Sequence, residues 1–523
     1  MKSTTRVSTW AVSTLALGVV PLVVFGIVFV LDYFLLGVRG QLGFFEIFHK
    51  MSIDDARQVL GGMGEVIAAI LGIVITVASI IVQLAATRYT PRITEMFFKD
   101  RTNLSILAFF VVSAVYCLWV NFVIRGDSSN PALTFIPVAG SILNVILMTI
   151  SLLLIAPYFL YVFKFLEPGN IVRGIERQAF NQLVHLKSTG CVEETQLQVL
   201  QGVEQLADIA MNAIEQKDKG LATGSIDSLR DLLKDYLEMK RELDAEWFFL
   251  GPNLRTNPDF ISMHREILDD IAGKRIWLEY KVLRQYQMIY NESLNRMRDI
   301  DYIIAIDTRY LGEEAISRDD SEVLKLVIKF FNTFIRATLN AKDIRTAYNV
   351  FHQYRLLSES VLRAGMDDQV LEIAGYFKYY GQLAFNMNVP FITETIAYDL
   401  TTLCELAFSA GALVGDDLLE VLLEVDKEAE GEMQEKGLRG VRKAQIKMAT
   451  YFLLMGDEER AHRIYMDMKN EPEERMRSIR SELLSVQTKD FWEVIDRGEN
   501  FDYLHPERRQ LLNKFFEKFK QFA

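Results

Sequence analysis

The stretch that decides the fold is VIAAILGIVITVASIIVQLAA, at residues 66–86. It carries no charged residue, and roughly 20 apolar residues are enough to cross the hydrocarbon core of a bilayer. Three further segments pass the same test, at about residues 10–36, 104–123 and 132–163. The sequence therefore predicts four transmembrane helices, of which the second covers residues 53–87.

Charge divides the chain of 523 residues into two parts. Residues 1–170 hold eleven Lys or Arg and nine Asp or Glu, whereas residues 171–523 hold 46 basic and 60 acidic residues. We therefore expect an apolar membrane part followed by an acidic, water-soluble part. This acidity argues against nucleic acid as a partner, because phosphate binding requires a concentrated basic face.

The first apolar segment, residues 10–36, has two possible interpretations. Lys2 and Arg6 precede it, as in a cleaved signal peptide, but the segment exceeds the 7–15 residues of a signal-peptide core and no small-residue cleavage site follows. We therefore expect a retained helix in the lipid bilayer. Basic residues near the helix ends are more numerous on the side of the N-terminus, which predicts that both termini are cytoplasmic.

One face of the second helix differs from its other faces. Small or polar residues follow one another on it at spacings of three or four: Glu65, Ala68, Gly72, Thr76, Ser79, Gln83 and Ala86. Residues so spaced lie on one side of a helix, and we call them the stripe. Small residues allow close packing between transmembrane helices. Alternatively, the stripe lines an aqueous path in a homo-oligomer.

Three polar residues of the apolar segments can be explained by their position alone, and two of them also have a functional interpretation. Asp32 and Glu65 are predicted near the outer surface, where a hydrated carboxylate costs little. They are either interfacial residues or an outer acidic vestibule that attracts cations. Asn144 lies deeper, and we expect it to form a hydrogen bond to a neighbouring helix.

A turn motif follows the stripe. It reads Gln83-Leu84-Ala85-Ala86-Thr87-Arg88-Tyr89-Thr90-Pro91-Arg92, and then Phe97-Phe98-Lys99-Asp100-Arg101. This motif resembles the signature of a bacterial family of predicted membrane proteins that is known only as a domain of unknown function. The resemblance covers about residues 52–123 and 200–236, and it departs at residues 216–220, where the family has an Asn-Asp-Pro turn. It implies a multi-pass protein of the bacterial inner membrane and no established activity.

The turn motif also has a physical interpretation. Pro91 should end the helix, because proline lacks an N–H donor and restricts the residue before it. Arg92, Lys99 and Arg101 then lie at the level of the cytoplasmic headgroups, where anionic lipid favours them. Arg92 or Arg101 could also pair with Asp100 or with an acidic residue of the soluble part. We expect an anchoring role, with a coupling or gating role as the alternative.

The part after residue 170 is predicted to be helical throughout, which makes the fold class all-α. Apolar residues recur at three and four, and prolines are scarce within these segments. A Pro- and Gly-containing stretch near residues 251–258 predicts a membrane-proximal bundle at residues 171–250 and a cytoplasmic helical domain at residues 260–523.

Turns in the last domain follow a common pattern, in which a glycine precedes an acidic helix start. The pattern occurs at Gly365, Gly415 and Gly456. Glycine suits a left-handed helix end, and Asp suits the N-cap that follows. A spacing of about 40–50 residues is within the range of helical-pair repeats, although a plain helical bundle fits as well.

Several classes of function lack their motifs. The chain has no P-loop, no HExxH, no nucleophile elbow and no EF-hand loop, so we expect neither an enzyme nor a bound cofactor. Cys117, Cys191 and Cys404 lie far apart and the six histidines are dispersed, which argues against a metal site.

Two functions remain. The first is an oligomeric ion channel or permeation protein with a cytoplasmic regulatory or assembly domain. The alternative is a membrane-anchored scaffold or sensor, whose acidic helical domain recruits a cytosolic protein partner.

Overall fold

The fold is known from a computed structural model. Besides Val23 and Ile27, it describes residues 53–88, 92–127, 130–135, 137–189, 191–426, 434–491, 497–498 and 500–519. The first predicted transmembrane helix lies outside these residues apart from Val23 and Ile27, and Asp32 lies outside them too. The chain divides into two compact units, Met1–Ile171 and Val172–Ala523.

The first unit contains three long apolar helices among its described residues. Its elements are α1 (Ile53–Arg88), α2 (Arg92–Lys99), α3 (Arg101–Val123), β1 (Arg125–Asp127), β2 (Asn130–Phe135) and α4 (Val138–Phe165). By length and composition, α1, α3 and α4 can each cross a membrane. The two strands pair as an antiparallel hairpin between α3 and α4.

Two predicted helix starts differ from the observed ones. Residues 132–135 were predicted as helix but lie in strand β2, and α4 begins only at Val138. Thr134 and Phe135 favour strand, and Pro137 lies at the boundary between the two structures. The helix predicted at residues 104–123 begins three residues before its predicted start, at Arg101, because Asp100 caps its N-terminus.

The core of this unit lies between α1, α3 and α4. The residues of α1 that it buries follow one another along a single face: Ala56, Leu60, Ile67, Ile70, Val74, Ala78, Val82 and Ala85. On α3, Phe110 and Cys117 are fully buried. A Cβ atom on Gly140 of α4 would lie 3.3 Å from Val120 of α3, so these two helices approach closely. The helices therefore pack as a bundle in which α3 and α4 cover one side of α1 and leave the other side without a contact from the described helices.

The second unit is a helical array. Its long helices are α5 (Pro168–Thr189, which begins in the first unit), α6 (Val192–Glu215), α7 (Lys219–Met239), α11 (Trp277–Ser293), α12 (Arg298–Ser317), α13 (Ser321–Asn340), α14 (Ile344–Arg363), α15 (Asp367–Asn386), α16 (Pro390–Ala410) and α18 (Gln434–Leu454). Shorter helices are α8 (Pro252–Arg255), α9 (Pro258–Ile261), α10 (Arg265–Gly273), α17 (Gly415–Glu424), α19 (Glu458–Met468), α20 (Glu473–Ser485) and α21 (Pro506–Phe516). Two 3₁₀ turns, Lys240–Glu242 and Ala245–Phe248, follow α7.

These helices form two layers. Each helix from α11 to α16 packs against the next helix and against the helix two places along the chain. One layer therefore contains α11, α13, α15 and α17, and the other contains α12, α14, α16 and α18. The earlier pair continues the layers, since α6 packs on α11 and α7 packs on α12. Stacked helical pairs of this kind are the architecture of repeat proteins.

The turns of the array have a regular period. The backbone is left-handed at residues that stand 23 positions apart: Asp319, Lys342, Gly365, Asn388 and Gly411. A helix of 20 residues, such as α13, α14 or α15, followed by a turn of three residues gives this period. At several turns an Asp then caps the next helix, as Asp343 does for the N–H of Thr346.

The predicted turn glycines agree with the structure at two of three positions. Gly365 and Gly456 have φ angles of 72° and 76°, which disfavour other residues. Gly415 does not make the third turn, because it begins α17, and the left-handed residue is Gly411 with φ of 68°. Gly415 is constrained by packing instead, since a Cβ atom there would lie 2.9 Å from the ring of Phe408.

The stretch at residues 251–258 does not separate two compact units. The indole N–H of Trp277 in α11 donates a hydrogen bond to the carbonyl oxygen of Trp247, before the stretch, at 3.0 Å. Lys281 of α11 lies 2.8 Å from Glu204 of α6 and is almost fully buried. The prolines of this stretch begin the short helices α8 and α9, where a missing N–H donor costs nothing. The two predicted parts therefore share one core.

Candidate functional site

The stripe lies on the side of α1 that the described helices leave uncovered. Glu65, Ala68, Gly72, Thr76 and Gln83 are exposed, and Ser79 and Ala86 are half-buried. At 100° per residue, this side is opposite to the face that packs on α3 and α4. Whether the stripe meets another helix or water stays a prediction, and so does the acidic vestibule, because Asp32 lies outside the described residues.

The turn motif lies between α1 and α3. Arg88 is the last residue of α1 and Arg92 is the first of α2, while Tyr89 to Pro91 lie outside the described residues. Lys99 forms an exposed ion pair with Glu95 at 2.6 Å. Arg101 is exposed at the start of α3. The anchoring role of these basic residues stays a prediction.

Asp100 accepts hydrogen bonds from both α3 and α4. Its carboxylate caps α3 by accepting from the backbone N–H groups of Thr102 at 2.8 Å and Asn103 at 3.1 Å. The hydroxyl of Tyr161 on α4 donates to the same carboxylate at 2.5 Å. Burial raises the pKa of Asp100, but these hydrogen bonds outweigh burial and hold the pKa below its ordinary value. The carboxylate therefore remains ionised at neutral pH.

A second pair of residues extends this arrangement between α3 and α4. The amide nitrogen of Asn103 donates to the carbonyl oxygen of Phe97 at 3.1 Å, and its oxygen accepts from the hydroxyl of Tyr158 at 2.9 Å. Asn103 and Tyr158 are both fully buried. We call Asp100, Asn103, Tyr158 and Tyr161 the signature cluster. Of these four residues the predicted turn motif contains only Asp100, although the two tyrosines stand three residues apart on one helix face.

Buried polar groups continue from the signature cluster along α4. Asn144, Ser151 and Tyr158 recur every seven residues and are fully buried, as is Ser113 of α3. The amide atoms of Asn144 and the hydroxyls of Ser113 and Ser151 have no hydrogen-bond partner among the described residues. The expected bond from Asn144 to a neighbouring helix is therefore not found there. Buried polar groups of this kind are ordinarily satisfied by water or by a further chain.

No metal centre is evident in the part of the chain that the structure describes. His, Cys, Asp and Glu side chains do not come together there in groups of three or more that could hold a metal ion. Cys117 and Cys404 are buried thiols, and Cys191 is an exposed thiol.

Comparison with known proteins supports the membrane assignment. Residues 6–201 match the model of a family described as "Predicted membrane protein (DUF2254)", which confirms the resemblance to a membrane family of unknown function. No curated protein matches the chain. A solved structure titled "Circular tandem repeat protein with novel repeat topology and enhanced subunit contact surfaces" is similar at 16% identity, over 82% of this chain and 98% of that one. Its TM-score of 0.29 is too low to assign a shared fold.

Proposed function

Taking residues 6–201 as part of a family of predicted membrane proteins, we propose that the chain forms a homo-oligomer whose α1 helices surround an aqueous path for small cations. The observation that carries this proposal is the exposure of the stripe on the side of α1 that the described helices leave uncovered. Hydrocarbon offers no hydrogen-bond partner to Thr76 or Gln83, whereas water or a second copy of the chain does. A ring of α1 helices satisfies these groups in every copy at once.

The composition of the stripe suits such a path. Ala68 and Gly72 are small, so neighbouring helices can approach closely. The hydroxyl oxygens of Thr76 and Ser79 and the amide oxygen of Gln83 can replace part of the hydration shell of a cation. A ring of Glu65 carboxylates near the outer end would favour cations over anions.

The length of α1 is consistent with this arrangement. Its 36 residues make a helix of about 54 Å, which exceeds the roughly 30 Å of the hydrocarbon core. The first turns, which carry Asp54 and Asp55, therefore extend beyond the membrane on the outer side. In this proposal the second unit serves oligomer assembly or regulation.

Accessibility to a charged thiol reagent tests whether the stripe faces water. Cys191→Ser removes the exposed native thiol, and single cysteines then replace Thr76, Ser79 or Gln83. Matched controls are Ile73→Cys and Leu84→Cys, which are 57% and 65% exposed on an apolar flank of the same helix. We expect stripe cysteines to react at least tenfold faster, because the thiolate forms only in water. Equal, slow reaction at all five positions would argue against an aqueous path.

Cation flux through proteoliposomes of the purified chain tests conduction itself. Thr76→Val keeps the shape of the side chain and removes its oxygen, so we expect a severalfold loss of flux. Thr149→Val on α4 is the control, because the hydroxyl of Thr149 donates to its own helix at Val145. An intact oligomer without flux would favour the scaffold function instead.

A further inference from the structure

Two close contacts fix the register between α1 and α3, which run antiparallel. A Cβ atom on Gly61 would lie 3.8 Å from the amide nitrogen of Asn121. One on Gly64 would lie 3.8 Å from Cβ of Cys117. Glu65 is the next residue of α1, and each residue adds about 1.5 Å along a helix. Glu65 therefore lies within about 2 Å of the level of Cys117.

The other two long helices are apolar on their exposed sides at this level. On α3, Val115 and Leu118 are exposed. On α4, Val145 is exposed as well, and it lies at nearly the same level because Gly140 packs beside Val120 and these helices are antiparallel. Exposed apolar side chains on helices that cross a bilayer face lipid. The surroundings at the level of Glu65 therefore favour hydrocarbon over water.

The length of α3 gives the depth of this level. The helix begins at Arg101, where the turn motif predicts the cytoplasmic headgroups. A hydrocarbon core of roughly 30 Å covers about 20 residues of a helix, so its other boundary lies about four residues, or about 6 Å, beyond Cys117. Trp119 and Phe122 lie on either side of this boundary and are exposed, as interfacial aromatic residues are. Placed in this way, Glu65 lies inside the hydrocarbon layer.

The carboxylate of Glu65 has no charge partner among the described residues. It is exposed and forms no hydrogen bond or ion pair with any of them. Gly62 and Ala68, three residues away on either side, are exposed too, and a Cβ atom on Gly62 would meet no atom within 4 Å. An ionised carboxylate in hydrocarbon is costly unless a positive charge or water compensates it. The small neighbours leave room for such a ligand.

We propose that Glu65 lies inside the hydrocarbon layer and directly binds a hard metal cation, in competition with a proton. Hard cations such as Na⁺ and Ca²⁺ prefer oxygen ligands, and carboxylate oxygens are among the strongest. The inference rests on the proposed function, because a ring of α1 helices brings one carboxylate from each copy to the same depth. It refines the position near the outer surface that the sequence predicts for Glu65.

Labelling with a hydrophobic carbodiimide tests this proposal on the full chain in proteoliposomes. The reagent dissolves in lipid and reacts with a protonated carboxyl group, whose O–H adds across a C=N bond of the reagent. Mass spectrometry of the peptides identifies the modified residue. Na⁺, K⁺ and Ca²⁺ are each compared with choline at constant ionic strength and mildly acidic pH. We expect Glu65 to be labelled in choline, and at least tenfold more slowly when the best of the three cations is saturating.

Asp54 is the internal control, because it is an exposed carboxylate in the first turn of the same helix, beyond the hydrocarbon. It should react only with a water-soluble carbodiimide. Glu65→Gln should abolish the label at this position, and Thr76→Val should keep both the label and its protection by cations. Labelling of Glu65 by the water-soluble reagent alone, or hydrophobic labelling that none of the three cations slows, would overturn the proposal.

Cation flux through the same proteoliposomes separates this proposal from conduction. Protection of Glu65 by a cation without any flux would support the site and argue against a conducting path. Flux with an unprotected Glu65 would support the path and overturn the site.

Discussion

Replacing Tyr161 by Phe removes a single hydroxyl from the signature cluster and leaves the rest of the side chain in place. That hydroxyl donates to Asp100 at 2.5 Å, across the contact between α3 and α4. The ring keeps its neighbours, since its centre lies 6.1 Å from that of Phe165 and 6.3 Å from that of Tyr158. The two backbone hydrogen bonds that Asp100 accepts at the start of α3 also remain. The change therefore isolates one charge-assisted hydrogen bond.

The size of the effect follows from the charge of the acceptor. A hydrogen bond to an ionised group contributes about 1.5–3 kcal/mol to stability. Each 1.4 kcal/mol is a factor of ten in an equilibrium constant. The population of molecules in which the contact between α3 and α4 has opened should therefore rise about 10- to 100-fold.

Labelling of Cys117 measures this opening. Cys117 is fully buried in α3, and Cys191→Ser with Cys404→Ala leaves it as the single thiol of the chain. The measurement is made in mixed micelles that contain an increasing fraction of SDS. The labelling rate is proportional to the population in which the α3–α4 contact is open, as long as this contact closes again faster than the thiol reacts. We expect Tyr161→Phe to label about 10- to 100-fold faster than the parent at neutral pH.

A double-mutant cycle and the pH dependence decide whether the hydrogen bond to Asp100 is the cause. In an Asp100→Ala background, Tyr161→Phe should have little further effect. The folded pKa of Asp100 lies below its ordinary value, so the stability it contributes is present above about pH 4 and is lost as pH falls through the folded pKa. Equal labelling rates at neutral pH, or an undiminished effect in the Asp100→Ala background, would refute this reasoning.

Three further predictions concern packing and buried charge. Gly312→Ala places a Cβ atom 2.7 Å from Leu357, so it should destabilise the chain by about 1–3 kcal/mol in chemical denaturation, whereas Gly375→Ala meets no atom within 4 Å and should be neutral or stabilising. Burial raises the pKa of Asp301 to about 8, so the stability tied to its protonation is present below about pH 4 and lost as pH rises through about 8. Asp301→Asn should therefore flatten the dependence of Tm on pH between 5 and 9, and parallel curves would contradict this. Asn144→Leu replaces an amide that has no hydrogen-bond partner among the described residues, so it should not lower Tm in detergent; a clear decrease would show that Asn144 has a partner in the native protein.

The described helices of the first unit were largely predictable, because a long apolar run is visible in the sequence without knowledge of tertiary contacts. The second helix was predicted at residues 53–87 and is observed at Ile53–Arg88, since an uninterrupted apolar run leaves the backbone no alternative in a bilayer. The two paired strands, Arg125–Asp127 and Asn130–Phe135, were missed, because strands this short are defined by the residues they pair with. The regular turns were only partly predictable, because Asp319, Lys342 and Asn388 adopt the left-handed conformation without being glycine.

The sites show the same division between local and distant information. Asp100 was predictable as a candidate, because a charged residue beside a helix start is visible in the sequence. Its partner Tyr161 was not, since a contact across 61 residues depends on how α3 and α4 pack. The hydrogen bond from Arg497 to Asp399 was not foreseen either, because these two residues stand 98 positions apart.

The sequence by itself determined the membrane assignment, the boundary between apolar and acidic parts, and the helical class of both. These properties depend on composition and on the recurrence of apolar residues with a period of 3.6. Both are determined by residues that are neighbours in the sequence. Only the tertiary structure decided which side of α1 the described helices cover and which distant side chains, such as Arg497 and Asp399, come into contact. Both depend on the packing of segments that are distant in the chain, and the same stripe from Glu65 to Ala86 could have been buried or exposed with no change in its sequence.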